Sequence, residues 1–231
     1  MAYFKFIVFY IVNIINIIFL RVSGLALERS KCLFVNIKAD MDSLRCFDSY
    51  LKRVRITIDG NENQLVCSGC HIESTSISIT GEGNTVEIEN GVVLRSSKLI
   101  VRGSNCAVSI GKGSTFGGVR IIAVGEGSVI VIGENCLFSD NIELWASDTH
   151  PIYDEGSNII NPEGVINISD RVWVGSRAVI LKNVTIGTDS VVGLATVVTK
   201  NVPASSVVVG NPGRVVQKGV TWGLDYPSKG K

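Results

Sequence analysis

Apolar residues recur every six positions through the C-terminal third of the chain, at Ile168, Val174, Ile180, Ile186, Val192 and Val198. Four residues after each stands a small or β-branched residue: Val172, Ala178, Val184, Ser190, Thr196 and Val202. Gly175, Gly187 and Gly193 directly follow three of these anchors. A period of six fits neither a helix nor an alternating strand. It fits a chain that turns a corner every six residues, so that three units close one triangular coil of 18.

Upstream the coil is longer. Gly81-Glu82-Gly83-Asn84, Gly103-Ser104-Asn105-Cys106 and Gly125-Glu126-Gly127-Ser128 are spaced by 22. The anchors between them still step by six: Ile88, Leu94, Ile100; Ile110, Phe116, Ile122; Ile132, Phe138, Leu144. The length 22 is then three steps of six plus a four-residue Gly-rich loop, always at the same corner. Those loops should stack on one edge of the prism. A weaker copy starts at Gly60.

The pattern predicts an all-β parallel β-helix over residues 55–211, with an apolar helix at the N-terminus. Residues 1–28 form an apolar segment, 29–54 a cap or linker, and 212–231 a tail that begins in the breaker cluster Gly210, Pro212 and Gly213. From Phe4 to Leu20 the only polar residues are Lys5, Asn13 and Asn16, which fall on one narrow stripe of a helix. Residues 3–20 are short for spanning a bilayer and suit peripheral attachment. A secretory signal, packing against a partner chain, and an ordinary buried helix or strand are the alternative readings of the same run.

Composition agrees with the all-β reading, being rich in Val, Ile and Gly. The 22 Lys and Arg nearly balance the 21 Asp and Glu, so charge makes no case for nucleic acid. Cys67-Ser68-Gly69-Cys70-His71 has the spacing of a haem attachment site. In the repeat, however, Cys67 takes the place of Ile88 and Cys70 that of Val92, which makes both small core residues. No metal is expected.

Between Leu144 and Ile168 the repeat fails. Residues 145–167 are polar and turn-rich and contain His150, one of only two histidines. A long loop inside a regular stack is more often functional than not.

Ser147-Asp148-Thr149-His150-Pro151-Ile152-Tyr153-Asp154, then Val172-Trp173-Val174-Gly175, Val197-Val198-Thr199-Lys200 and Gly210-Asn211-Pro212-Gly213-Arg214, resemble the hexapeptide-repeat acyltransferases. The pattern is nearest to galactoside and maltose acetyltransferases and to O-acetyltransferases of capsules and lipopolysaccharides. The resemblance covers about Ile110 to Val216. It implies a left-handed β-helix, acetyl-CoA as acyl donor, a sugar or glycan hydroxyl as acceptor, and a homotrimer with sites between neighbouring prisms. His150 falls at the family's catalytic histidine and Trp173 at the tryptophan bordering the transfer site. Ser176, Gly193, Leu194, Thr199, Lys200 and Arg214 fall at coenzyme-contacting positions. Leu194 stands where Ala is usual, and Lys182-Asn183 replaces a common Pro-Gly turn.

The chemistry of the residues agrees. A neutral imidazole takes a hydroxyl proton as the oxygen attacks a thioester carbonyl. Backbone N–H groups of the Val-Gly turn after Trp173 would stabilise the oxyanion. Asp148 would orient His150 or hold an acceptor hydroxyl. Use of coenzyme A places the enzyme in the cytoplasm, with residues 3–20 at the inner face of the plasma membrane. Rival readings are an amino-sugar N-acetyltransferase, a non-enzymatic glycan-binding scaffold, and a zinc carbonic anhydrase, for which two His are too few.

Overall fold

A computed structural model of the chain describes residues 21–22, 25–28, 30–39 and 43–225. They form a prism with three parallel faces, visited in the order first, second, third. The first face has nine strands, from Arg21–Val22 to Val184–Ile186; the second has ten, from Lys31–Leu33 to Arg214–Lys218; the third has eight, from Asn36–Lys38 to Val197–Val198. Between the two end strands, each strand pairs in parallel with its counterparts one coil away, as in Thr85–Ile88 with Ala107–Ile110. Backbone groups that a lone short strand would expose are thereby satisfied by the next coil.

The downstream anchors face inward: Ile168, Ile180, Ile186 and Val192 are fully buried, as are Ala178, Ser190 and Thr196 four residues after their anchors. Corners are turned by left-handed residues, among them Arg171, Arg177, Asn183, Asp189 and Ala195 at φ of 55–61°. Phe116 and Phe138 stack in the core at 4.5 Å. Cys67 and Cys70 lie in that core with Cys46, and all six cysteines are free thiols.

Two anchors are corrected. Leu99, Ile121 and Leu144 share one register and line the core, whereas Ile100 and Ile122 take the alternate, outward positions; Ile100 is half-buried there, and Ile122 is buried but outside the core cluster. The corner before Leu99 and Ile121 is one residue tighter than the one before Leu144, so the step there is five, not six.

The Gly-rich turns do stack on one edge, between the third and first faces. Gly60, Gly81, Gly103 and Gly125 pair in register. A Cβ on Gly81 would lie 2.0 Å from the carbonyl oxygen of Gly103, so only glycine fits. Beneath them runs a polar ladder that the hexad pattern does not reveal. Buried Asn84 donates through Nδ2 to Asn63 Oδ1 (2.9 Å) and to Gly103 O (3.0 Å), and its own Oδ1 accepts from Cys106 N (2.9 Å).

The ends differ from expectation. Parallel pairing begins upstream of residue 55: Leu25–Glu28 already pairs with Leu44–Phe47, and Lys31–Leu33 with Tyr50–Lys52. No helix occurs among the described residues. The N-terminal helix expected within 1–28 is not supported, since its described part is an antiparallel strand pair, Arg21–Val22 with Leu25–Glu28; residues 1–20 lie outside the described residues. Among the described residues no helix is long and apolar enough to cross a membrane. At the other end Arg214–Lys218 folds back antiparallel on Ser206–Val209 and covers the last coil.

Candidate active site

The loop that interrupts the repeat leaves the prism on the edge carrying the Gly-rich turns. Its base is closed by Gly164 N–H donating to Ala146 O at 2.9 Å. Its outer part is a small hairpin: Ile160 N donates to Ile152 O (2.9 Å), and Asp154 caps the turn by accepting from Asn158 N at 2.8 Å. Glu163, at the return, packs across Gly125.

His150 is exposed on this loop. Its position is fixed through the backbone: Asn161 Nδ2 donates to His150 O at 3.0 Å and to Asp148 Oδ2 at 2.8 Å, while Asn161 Oδ1 accepts from Ile152 N. Asp148 therefore meets Asn161 and Lys182 rather than the imidazole. Lys182 Nζ donates to Asp148 Oδ2 (2.7 Å), Asn161 O (3.0 Å) and Pro162 O (2.8 Å). The hydrogen bond from Lys182, then that from Asn161 and the Lys182 charge, hold the Asp148 carboxyl below the usual carboxylate range against the effect of burial. Asn183 Oδ1 accepts from Val165 N (3.4 Å) where the chain rejoins the first face. Lys182-Asn183, visible in the sequence only as a departure from a Pro-Gly turn, is thus the clamp of the loop.

The other candidates fall into two groups. Thr199 and Lys200 are exposed on the same edge as His150, beyond Lys182. Ser176, Gly193 and Leu194 lie on a different edge, between the second and third faces, where Ala195 N donates to Ser176 O at 2.9 Å. Ser176 Oγ donates to Asp140 Oδ1, and that bond lowers the Asp140 pKa. Leu194 is 69% exposed. Arg214 follows Gly213, whose N–H donates to Val197 O at 2.7 Å, so it stands over the last coil beside this second edge. The third face separates the two groups within one chain.

Trp173 is on the second face, partly exposed, with its ring 6.2 Å from that of Trp222 in the C-terminal tail. The tail is strapped there by Arg171, which pairs with Asp189 at 2.8 Å and donates to Trp222 O at 3.1 Å. One expectation is corrected: the Gly175 N–H already donates to Val192 O at 2.8 Å, so it is not free to hold an oxyanion.

No family model matches the chain. Galactoside O-acetyltransferase of Escherichia coli K12 is 37% identical over 89 residues, which is 37% of this chain and 42% of that protein. A Schizosaccharomyces pombe protein named as an acetyltransferase is 38% identical over 85 residues, 36% of this chain and 41% of that protein. The chain thus spans less than half the length of the curated relatives it matches. By sequence and by fold it resembles the hexapeptide-repeat acetyltransferases. Among solved structures, the polySia-specific acetyltransferase NeuO superposes with a TM-score of 0.72 at 25% identity, covering 90% of this chain and 88% of NeuO. The polysialic acid O-acetyltransferase OatWY shares the fold, with a TM-score of 0.63 at 24% identity, covering 87% and 93%.

Proposed function

We propose that the protein transfers acetyl from acetyl-CoA to a hydroxyl of a sugar or surface glycan. The observation that carries this reading is an exposed histidine on a clamped loop that leaves an otherwise regular coil. Likeness to NeuO, an acetyltransferase of a glycan polymer, over nine-tenths of the chain supports it.

In this reading His150 is the general base. It takes the acceptor proton while the hydroxyl oxygen attacks the thioester carbonyl, and the thiol of coenzyme A leaves. Transfer is direct, without an acyl-enzyme. Leu194 and Gly193 line the pantetheine, Ser176 and Thr199 offer hydroxyls, and Lys200 and Arg214 meet phosphate. Because the His150 edge and the Ser176–Leu194 edge flank opposite sides of the third face, a complete site needs two chains. A left-handed homotrimer supplies three such junctions, with the Trp173 face bordering each. Residues 3–20 hold the enzyme at the cytoplasmic leaflet.

The test is to offer acetyl-CoA and a panel of surface polysaccharides and look for new acetyl esters by NMR. Esters on a glycan, absent with His150→Ala, support the reading. Full transfer by His150→Ala would make the loop a bystander and leave a glycan-binding scaffold as the better reading.

A further inference from the structure

The net charge of +1 hides a segregation of charge on the third face. Outward residues of adjacent strands stand in register as Arg55, Ser76, Lys98 and Arg120. Arg53 and Arg95 extend this row along the corner with the second face, and all five cations are exposed. From Arg55 to Arg120 is three strand steps, roughly 14 Å. Three carboxylates lie on the stripe or its corner, and all are engaged: Glu73 pairs with Lys52 at 2.7 Å, Glu143, in register beside Arg120, accepts from Trp145 Nε1 at 2.6 Å, and Asp140 accepts from Ser176 Oγ. Arg55, Arg95 and Lys98 make no ion pair with a described residue. On the opposite edge of the face acidic residues predominate, with Asp59, Glu62, Glu82 and Glu126 against the single cation Arg102 in the same coils.

Lys98 and Arg120 lie side by side on neighbouring strands, an arrangement that repels and opposes folding. The same repulsion disfavours burying this row against a second copy of itself. The row also runs toward the candidate site's own elements in one direction only. Its last member, Arg120, lies over the ring of Trp145 at 5.2 Å, and Trp145 is the residue from which the His150 loop departs. Beyond it the same corner continues to Ser176 and Arg177.

We propose that this stripe binds an acidic glycan, a polysaccharide bearing carboxylates that lies lengthwise along the coils and delivers one of its hydroxyls to the transfer site. The proposal rests on the acetyltransferase reading and names its acceptor class. Spaced cations on a rigid ladder bind a repeating anion along its length, whereas a neutral sugar gains nothing from them. The half-buried Trp145 at the end of the row, one ring face under Arg120, leaves an aromatic edge beside which a sugar ring can lie.

The test compares the full chain with a variant carrying Arg53→Ser, Arg55→Ser and Lys98→Ser. Ser74, Ser96 and Ser76 occupy the equivalent positions of neighbouring coils, so the fold already accepts serine there. Binding of polysialic acid, polygalacturonate and dextran is measured directly at low and high salt. At least one acidic polymer should bind the unaltered chain, weakening with salt, and the variant should lose affinity by roughly 10- to 100-fold. Glu87→Gln, on the first face, should not weaken it. Equal binding of dextran, no binding of either acidic polymer, or unaltered binding by the variant would overturn the proposal. Binding of acetyl-CoA and transfer are scored separately. Salt-sensitive polymer binding without transfer would sink the acetyltransferase reading alone, and transfer without preference for acidic polymers would sink the stripe alone.

Discussion

Replacing Lys182 by Met tests whether the loop clamp governs catalysis. The ammonium makes three bonds to the loop, and its side chain is 17% exposed against 44% for Asp148. The Asp148 pair, half in water, contributes about 0.5–1 kcal/mol. The two carbonyls bonded to a charged donor add about 1–3 kcal/mol together. Losing this lets the mouth of the loop open and His150 wander, so kcat should fall by about 10- to 100-fold. The loop hangs outside the coil ladder, so Tm should move by less than about 3 °C. Lys182→Arg should restore part of the rate. Asp148 has a lowered pKa, so its contribution is present above the ordinary carboxylate value, near 3.9, and is lost only as pH falls through the lowered one. The clamp is therefore intact at neutral pH, and its removal should scale the rate without reshaping the profile between about pH 5 and 8. The assay is acetyl transfer at saturating substrates, with hydrogen exchange of amides 148–161 in parallel. Faster exchange with unchanged kcat would refute the link between loop position and chemistry; unchanged exchange would refute the clamp.

The remaining predictions separate chemistry, coenzyme and fold. His150→Ala should lower kcat by roughly 10²–10⁴-fold while coenzyme A binding, read by calorimetry, stays level. Lys200→Ala and Arg214→Ala should do the reverse, each weakening coenzyme A by roughly 10- to 100-fold. Gly81→Ala places a Cβ 2.0 Å from Gly103 O at φ +116° and should cost at least about 3 kcal/mol, lowering Tm by roughly 6–12 °C. Gly127→Ala, with nothing within 4 Å, should cost only about 1 kcal/mol.

What the sequence reveals follows what repeats. Ile168 to Val198 announce the coil because each must fill the same inward position, and the Gly-rich turns announce their edge because each meets the next at a distance only glycine allows. The misreading at Ile100 has the same root: on the third face Leu99, Ile100 and Val101 are all apolar, so hydropathy alone cannot say which alternate points inward. His150 was legible as the histidine inside the break. The clamp was not, since Lys182, Asn161 and Asp148 meet only when a loop and the next coil are brought together. The basic stripe escaped for a similar reason, because Arg55, Lys98 and Arg120 are scattered in sequence and gathered only by pairing.

The placement of the loop has a physical reason. Ala107 pairs with Val129, 22 residues on, and Val129 pairs with Val165, 36 residues on, yet both pairings keep the same register on the first face. The extra chain is confined to one corner and leaves all four ladder pairs of the first face in place, while on the third face the ladder ends at Ile122 with Trp145, where the loop departs. Expanding that corner from the four residues of 103–106 to the 19 of 146–164 adds only about 1.4 kcal/mol of closure entropy. The Lys182 bonds are of the size needed to offset that cost and to choose one conformation among the many a free loop would sample. A regular coil thus supplies rigidity on its faces, and a single clamped corner supplies the residue that must reach across to a substrate.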